Sequence, residues 1–145
     1  MQIADAQSKF DGPSHELTEK IIGVFYQVHN ELGVGFLEAV YRESMRIALL
    51  QSGLMVEAEV GLPVYFRGLL AGIFRADLVV ESKIILELKV ADAISKSHEA
   101  QLLHYLKSSR IEIGLILNFG ESPKIKRILM TNDRKPSLPT ENASL

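Results

Sequence analysis

The chain has 145 residues and no cysteine, a formal net charge of −2, and 47% hydrophobic residues. This length is typical of one domain with its own core. The lack of cysteine excludes disulfides and thiolate metal sites. Because the net charge is near zero, any binding of nucleic acid would depend on a local basic patch. No apolar run reaches the ~18 residues of a membrane span, and the amino-terminal segment lacks the features of a signal peptide, so the sequence predicts a cytoplasmic protein.

Two helices are predicted in the first third of the chain. Residues 1–13 are polar and contain a Gly-Pro pair, which indicates a flexible arm ahead of one domain spanning 14–130. A first helix begins near Ser14 or Thr18, either of which could cap it, and ends at Gly33. Its apolar residues recur at helical spacing, at Leu17, Ile21, Val24, Phe25, Val28 and Leu32. A second helix covers 36 to 51 or 52, with a predicted inner stripe of Leu37, Val40, Ser44, Ile47 and Ala48.

Strands dominate the rest of the chain, with one further helix between them. The predicted strands span 56–66, 73–80, 84–90, 113–119 and, at the edge of the sheet, 126–130. The helix covers 97–107, and its predicted core contacts are Ala100, Leu103 and Leu106. The order ααβββαβ(β) predicts an α/β fold of the α+β kind, with a central mixed sheet flanked by helices. Residues 131–145 are predicted to form a polar tail.

The hairpin between the second and third predicted strands separates charged from apolar side chains. If 81–83 form a three-residue loop, Asp77 falls opposite Glu87 and Arg75 falls opposite Lys89. Because side chains alternate across a strand, these charges share one face with Val79 and Ile85. The other face is entirely apolar and consists of Ala76, Leu78, Val80, Ile84, Leu86 and Leu88.

Two carboxylates that face each other across a hairpin cost free energy unless something binds between them. At ~4 Å and an effective dielectric near 20, the repulsion is about 4 kcal/mol. A divalent cation would turn that repulsion into a binding site, and carboxylate oxygens suit Mg²⁺ or Mn²⁺. Lys89, on the same side as Glu87, can then hold an attacking water or offset charge on a phosphate. The alternative for Asp77, Glu87 and Lys89 is a surface salt-bridge cluster.

Two helices offer further candidate residues. Glu38 and Tyr41 are neighbours on the second helix, where Glu38 is either a solvated flank or a third metal ligand facing the sheet. Gln101 and Tyr105 are one turn apart on the third helix and could bind a phosphate, a base or the region of Lys89. The alternative for this pair is an ordinary polar helix edge.

Other patterns carry less chemistry. Gly33-Val34-Gly35 precedes a helix, but no strand precedes it and the Lys-Ser/Thr of a phosphate loop is missing, so a turn is predicted. The four histidines show no zinc-binding spacing. Seven basic residues could contact phosphates, although scattered surface charge explains most of them: Arg42, Arg46, Arg67, Arg75, Lys96, Lys107 and Arg110.

Together these residues resemble the GxxExxY family of the PD-(D/E)XK nuclease superfamily. Gly35, Glu38 and Tyr41 match the motif that names the family, and the similarity runs from about 17 to 130. Glu38 resembles the helix acid of the superfamily, and Asp77 together with the 87–89 triplet resembles its D…ExK core. Gln101 and Tyr105 resemble the Gln-x-x-x-Tyr of its RecB-like exonuclease branch. The sequence departs from the pattern at Ala76, where the family has proline.

The resemblance implies a restriction-endonuclease-like core and a metal-dependent phosphodiesterase site. Asp77, Glu87 and the carbonyl of Leu88 would bind Mg²⁺ (or Mn²⁺), with Glu38 as a direct or water-mediated ligand. Lys89 would position the attacking water. Gln101 and Tyr105 would orient the substrate or the lysine.

Three functions remain open from the sequence. The first is a Mg²⁺-dependent nuclease acting on DNA or RNA. The second is a non-catalytic module that binds nucleic acid or protein through the same fold, and the third is action on a nucleotide-like small molecule. The exposed last strand would allow a homodimer, and the short chain would suit a partner protein.

Overall fold

Three α-helices and five β-strands build the described part of the protein. The computed structural model describes residues 14–135, so the predicted arm at 1–13 and residues 136–145 of the predicted tail lie outside the described residues. In chain order the elements are α1 (His15–Leu32), α2 (Glu38–Gln51), β1 (Val56–Phe66), β2 (Leu69–Val80), β3 (Ile84–Lys89), α3 (Lys96–Lys107), β4 (Ile113–Asn118) and β5 (Lys124–Leu129). Within this range no helix is long and apolar enough to cross a bilayer.

The strands form one mixed sheet in the order β1-β2-β3-β4-β5. The first three strands are an antiparallel meander. Helix α3 then crosses over so that β4 runs parallel to β3, and β5 returns antiparallel at the edge. Crossover by a helix is the usual way to join neighbouring parallel strands. The predicted mixed sheet of an α+β fold is therefore confirmed.

Two apolar clusters cover the two faces of the sheet. On one face, α1 and α2 pack against alternate residues of β2, β3 and β4, including Leu78, Leu86 and Leu88. On the other face, α3 packs against Val79 and Ile85. Burial on both faces explains why 78–80 and 84–86 are uniformly apolar. The predicted stripe of α1 lies in the first cluster, where four of its members are fully or almost fully buried: Ile21, Val24, Phe25 and Val28.

The predicted inner stripe of α2 is mostly wrong, although Ala48 packs against the core as predicted. Its predicted members are exposed at Leu37, Val40 and Ile47, and the buried residues are instead Tyr41, Met45 and Leu49. The apolar residues of α2 occur on most sides of the helix, so helical spacing alone is compatible with more than one buried stripe. Tyr41 decides between them, because its ring stacks on Phe119 and its hydroxyl donates a 2.6 Å hydrogen bond to the Gly33 carbonyl.

The predicted core contacts of α3 are partly wrong. Leu106 is buried as predicted, but Ala100 is exposed and Leu103 is only half-buried. The helix is rotated so that Leu102 and Tyr105 enter the core with Leu106. Gly114 permits this, since a Cβ atom there would lie 2.7 Å from a methyl carbon of Leu102.

The beginning of the predicted tail is structured. Asn132–Arg134 forms a 3-10 turn, and the Lys135 ammonium donates 2.7 Å hydrogen bonds to the carbonyls of Ser109 and Ile111. A long side chain that reaches buried carbonyls can tie down a polar segment, and composition alone does not reveal such a contact.

The β2–β3 hairpin has the predicted register, but only over three residue pairs. Val80 pairs with Ile84, and the ladder ends after Leu78 pairs with Leu86. On its other side, β2 passes from the Ala58–Leu78 pair to the Val60–Ala76 pair. Glu59, at this break, has a φ of 52°.

The predicted grouping of Ala76 with Leu78 is wrong. Ala76 packs on the α3 side with Val79, whereas Leu78 packs on the side of α1 and α2. Strict alternation requires an unbroken ladder, and the ladders on both sides of β2 are interrupted at Asp77.

Candidate active site

Asp77 and Glu87 meet where β2 and β3 separate. The Asp77 amide donates a 3.2 Å hydrogen bond to Glu87 Oε1, and the Leu88 amide donates a 2.8 Å hydrogen bond to Asp77 Oδ2. These two side chains therefore accept the hydrogen bonds that main-chain carbonyls would accept in a continuous ladder. The predicted juxtaposition of the two carboxylates is present, and we call this place the strand split.

Glu38 reaches the strand split from the start of α2. The turn before the helix is fixed by Gly33 and Gly35, whose φ values are 70° and 109°, and by the hydroxyl of Tyr41 on the Gly33 carbonyl. Glu38 is half-buried, and its pKa is raised by burial and then by Asp77, against the opposing effects of Lys89 and Arg42. The acid is thus within electrostatic reach of the other candidates.

Glu87 is the buried carboxylate of the group, with 6% of its surface exposed. Burial, followed by the charge of Asp77, raises its pKa to about 8. The hydrogen bond from the Asp77 amide and the charge of Lys89 oppose this shift, and Glu38 adds to it. The raised pKa means that the site accommodates a proton or a cation more readily than a further negative charge.

The chemistry of these donors fits a hard divalent cation, but their arrangement does not yet form a coordination sphere. Glu38, Asp77 and Glu87 supply carboxylate oxygens of the kind that Mg²⁺ prefers. Within residues 14–135, however, no group of three or more His, Cys, Asp or Glu side chains is positioned to hold a metal ion. One reason is that both oxygens of Asp77 already have partners, since Leu88 bonds to Oδ2 and Arg42 lies at Oδ1.

Arg42 is the site residue whose position the sequence did not predict. It lies one helical turn after Glu38, with a guanidinium nitrogen 3.6 Å from Asp77 Oδ1 and another 3.3 Å from Glu59 Oε1. The sequence identified it only as one of seven basic residues that could contact phosphate. Its spacing from Glu38 was the available signal, because residues i and i+4 of a helix share a face.

Of the two candidate residues on α3, Tyr105 is buried and Gln101 is exposed. The Tyr105 ring is buried and stacks on Phe74, and its hydroxyl has no hydrogen-bond partner among residues 14–135. Burial, then the charges of Glu87 and Asp77, raise its pKa. Gln101 is exposed one turn earlier on α3.

The family comparison agrees with this arrangement. A family model for the PD-(D/E)XK nuclease superfamily matches residues 15–128. The chain belongs to the PD-(D/E)XK nuclease superfamily. No match was found among curated proteins or among solved structures. Membership of a nuclease superfamily implies nucleic acid as the binding partner, and such nucleases typically use divalent metals.

The residues that were predicted from the sequence to form the superfamily's motif lie at the strand split. Asp77, the predicted first acid, is on β2, and Glu87, Leu88 and Lys89, the predicted (D/E)XK triplet, are on β3. Ala76 takes the place of proline and is fully buried against α3. This departure changes the residue before the acid and leaves the acid itself in place.

The end of β3 that carries the (D/E)XK triplet is held by a contact that the sequence did not suggest. The fully buried Asn118 accepts a 2.9 Å hydrogen bond from the Ala91 amide and donates one of 2.9 Å to the Ala91 carbonyl. The Phe119 amide donates to the Lys89 carbonyl. A polar residue that closes an apolar strand was the signal for such a role, because buried amides need partners.

A surface cavity of about 340 Å³ lies away from the candidate residues of this PD-(D/E)XK chain. It is at the opposite end of β3 from Lys89, and its lining includes Ser82, Lys83, Arg110 and Glu112. The residues predicted to form the superfamily's motif therefore lie at the strand split and not at this cavity.

Proposed function

We propose that the protein is a metal-dependent nuclease that hydrolyses phosphodiester bonds of DNA or RNA. The observation that carries the proposal is the strand split, where Glu38, Asp77, Glu87 and Lys89 interact electrostatically. Three acids and one ammonium group at a break in a sheet cost folding free energy. A site that binds a cation and a phosphate accounts for that cost.

Asp77, Glu87 and the carbonyl of Leu88 would hold the Mg²⁺ or Mn²⁺. Glu38 would contribute a carboxylate directly or through a water. Lewis acidity at the scissile phosphate is the chemistry that such a cation supplies.

Lys89 would hold the water that attacks phosphorus. It is half-buried at the end of β3 and acts on the pKa of both Glu38 and Glu87. An ammonium group there stabilises negative charge that develops on the phosphate. The hydroxyl of Tyr105, which has no partner in the part of the chain that the structure describes, would donate to the substrate. Gln101, exposed one turn earlier on the same helix, would contact the nucleic acid beyond the scissile bond.

Within the superfamily we place the chain with the GxxExxY family. The conformation of 33–41 supports this, because each named residue of the motif has a task. Gly35 has a φ of 109°, Glu38 is the first residue of α2, and Tyr41 anchors the preceding turn through Gly33. The motif would thus be the device that aims the helix acid at the strand split.

The test is a cleavage panel with single-stranded and duplex DNA and RNA, each with Mg²⁺ or Mn²⁺. Lys89→Met should lower the cleavage rate at least ~100-fold, the lower end of the range for a group that manages a reacting water. Lys124→Met is the matched control, since Lys124 is exposed on β5 and the variant loses the same charge. Equal rates in the two variants would contradict the assigned role of Lys89.

The same panel tests the non-catalytic alternative. Retention of nucleic acid by the wild-type protein without any cleavage would favour a binding module. Mn²⁺ calorimetry on wild type and Asp77→Asn tests the metal site separately, and binding that is equal or absent in both would remove it.

A further inference from the structure

We propose that Arg42 is a built-in counter-ion for Asp77. Arg42 competes with divalent cations for the Asp77 carboxylate and is displaced when such a cation binds. The inference rests on the proposed function, because it concerns the cation that the nuclease requires. It assigns to Arg42 control over the affinity for that cation.

The contacts of Asp77 define the competition. Oδ2 accepts the hydrogen bond from the Leu88 amide, which also fixes the orientation of the carboxylate. Oδ1 has no main-chain partner among the described residues, and the Arg42 guanidinium lies 3.6 Å from it. A cation that binds Oδ1 would stand beside a positive charge, so the two cations repel each other and compete for the same oxygen.

Glu59 gives Arg42 a second partner. Its carboxylate lies 3.3 Å from the other guanidinium nitrogen and is 58% exposed. Arg42 can therefore leave Asp77 and keep an ion pair with Glu59, without crossing to another face of α2. Arginine suits this exchange because the separate nitrogens of its rigid planar fork can each face a different carboxylate, whereas lysine has a single, strongly hydrated ammonium group.

The position of Glu59 fits this second role. It lies at the interruption of the β1–β2 pairing, with a φ of 52°, and its carbonyl accepts a hydrogen bond from Arg75. A non-glycine residue in the left-handed region is uncommon and costs free energy. Here this conformation brings a carboxylate to the guanidinium next to Asp77.

The experiment measures Mn²⁺ binding by calorimetry on wild type, Arg42→Gln and Arg46→Gln. Arg46 lies one turn further along α2 and pairs with Glu43, so its variant loses an identical charge outside the competition. We expect Arg42→Gln to bind Mn²⁺ about tenfold more tightly than wild type, as is typical of coupling between two ligands. Arg46→Gln should stay within about twofold, because exposed charges are screened.

A second readout uses thermal unfolding. In EDTA, Arg42→Gln should melt below wild type, because the carboxylates lose their counter-ion. The increase in melting temperature upon saturation with Mn²⁺ should then be larger for Arg42→Gln, since tighter binding stabilises the folded state more. Equal increases in the two proteins would contradict the competition.

The outcomes distinguish the inference from the proposed function. If wild type binds Mn²⁺ through Asp77 and Arg42→Gln binds no more tightly, the inference fails and the proposed function stands. If neither protein binds Mn²⁺, both fail. If Arg42→Gln does not fold, Arg42→Lys replaces it, with an affinity about two- to threefold above wild type expected because one fork contact is lost; an unchanged affinity in that variant overturns the inference.

Discussion

Replacing Glu87 by glutamine should change how the stability of the cation-free protein depends on pH. Burial and the charge of Asp77 raise the pKa of this carboxyl from 4.5 to about 8. Between these values the folded protein keeps the proton and the unfolded chain releases it. The folded state therefore binds more protons, and the free energy of unfolding falls as pH rises through this window. Glutamine does not titrate, so the variant lacks this loss.

The magnitude follows from the same two values. Each pH unit between them contributes about 1.36 kcal/mol, so the full window from 4.5 to about 8 amounts to at most about 5 kcal/mol. Glu87 is coupled to Asp77, and relaxation reduces the effect, so we expect about 2–5 kcal/mol. Only part of this effect falls between pH 5 and pH 8, so over that range the Glu87→Gln protein should gain about 1.5–3.5 kcal/mol in stability relative to wild type.

Urea unfolding in EDTA at both pH values measures the effect. The control is Glu121→Gln, which neutralises an exposed carboxylate in the turn between β4 and β5. The glutamine at 87 can still accept the hydrogen bond from the Asp77 amide, which keeps the local contact. A stability difference between Glu87→Gln and wild type that is the same at pH 5 and pH 8 would refute this account of the strand split.

Two further predictions concern packing. Tyr105→Phe should raise the free energy of unfolding by about 1 kcal/mol in urea, because it removes a buried hydroxyl that has no hydrogen-bond partner within residues 14–135; a loss of stability would show that the hydroxyl is satisfied. Gly120→Ala should lower it by about 3 kcal/mol or more, since the new Cβ would lie 2.3 Å from the Ala91 carbonyl oxygen. The control is Gly23→Ala, whose Cβ lies in open space within α1; it should raise the free energy of unfolding by about 0.5–1 kcal/mol. A Gly120→Ala protein as stable as wild type would contradict the close contact with Ala91.

The sequence predicted the sheet better than the faces of two helices. Strand β3 begins with the apolar run Ile84 to Leu86 directly after a turn, so its position and its pairing with β2 followed from length and alternation. Helix α2 is apolar around most of its surface, and the contact of Tyr41 with Phe119, 78 positions away in the chain, selects its buried face. Such a choice depends on tertiary packing, which no local pattern contains.

The candidate site was predictable to the extent that its residues lie on regular elements. Alternation across β2 and β3 brought Asp77, Glu87 and Lys89 together, and the motif order added Glu38. The interruption at Glu59 and the ion pair of Arg42 were not predictable, because both follow from a break in regular pairing. The acids could be identified from the sequence, whereas their counter-ion, Arg42, could be identified only from the folded structure.

The carboxylates of Asp77 and Glu87 also hold the two strands together, since each accepts a hydrogen bond from a main-chain amide where the regular β2–β3 pairing stops. An alanine at either position would remove a negative charge and a hydrogen-bond acceptor together, so the effect of the variant could not be attributed to the lost charge alone. Asn at position 77 and Gln at position 87 keep the hydrogen-bond acceptor and remove the charge. Natural substitution at these two positions meets the same constraint, because the fold needs a hydrogen-bond acceptor at both places whether or not the charge is used.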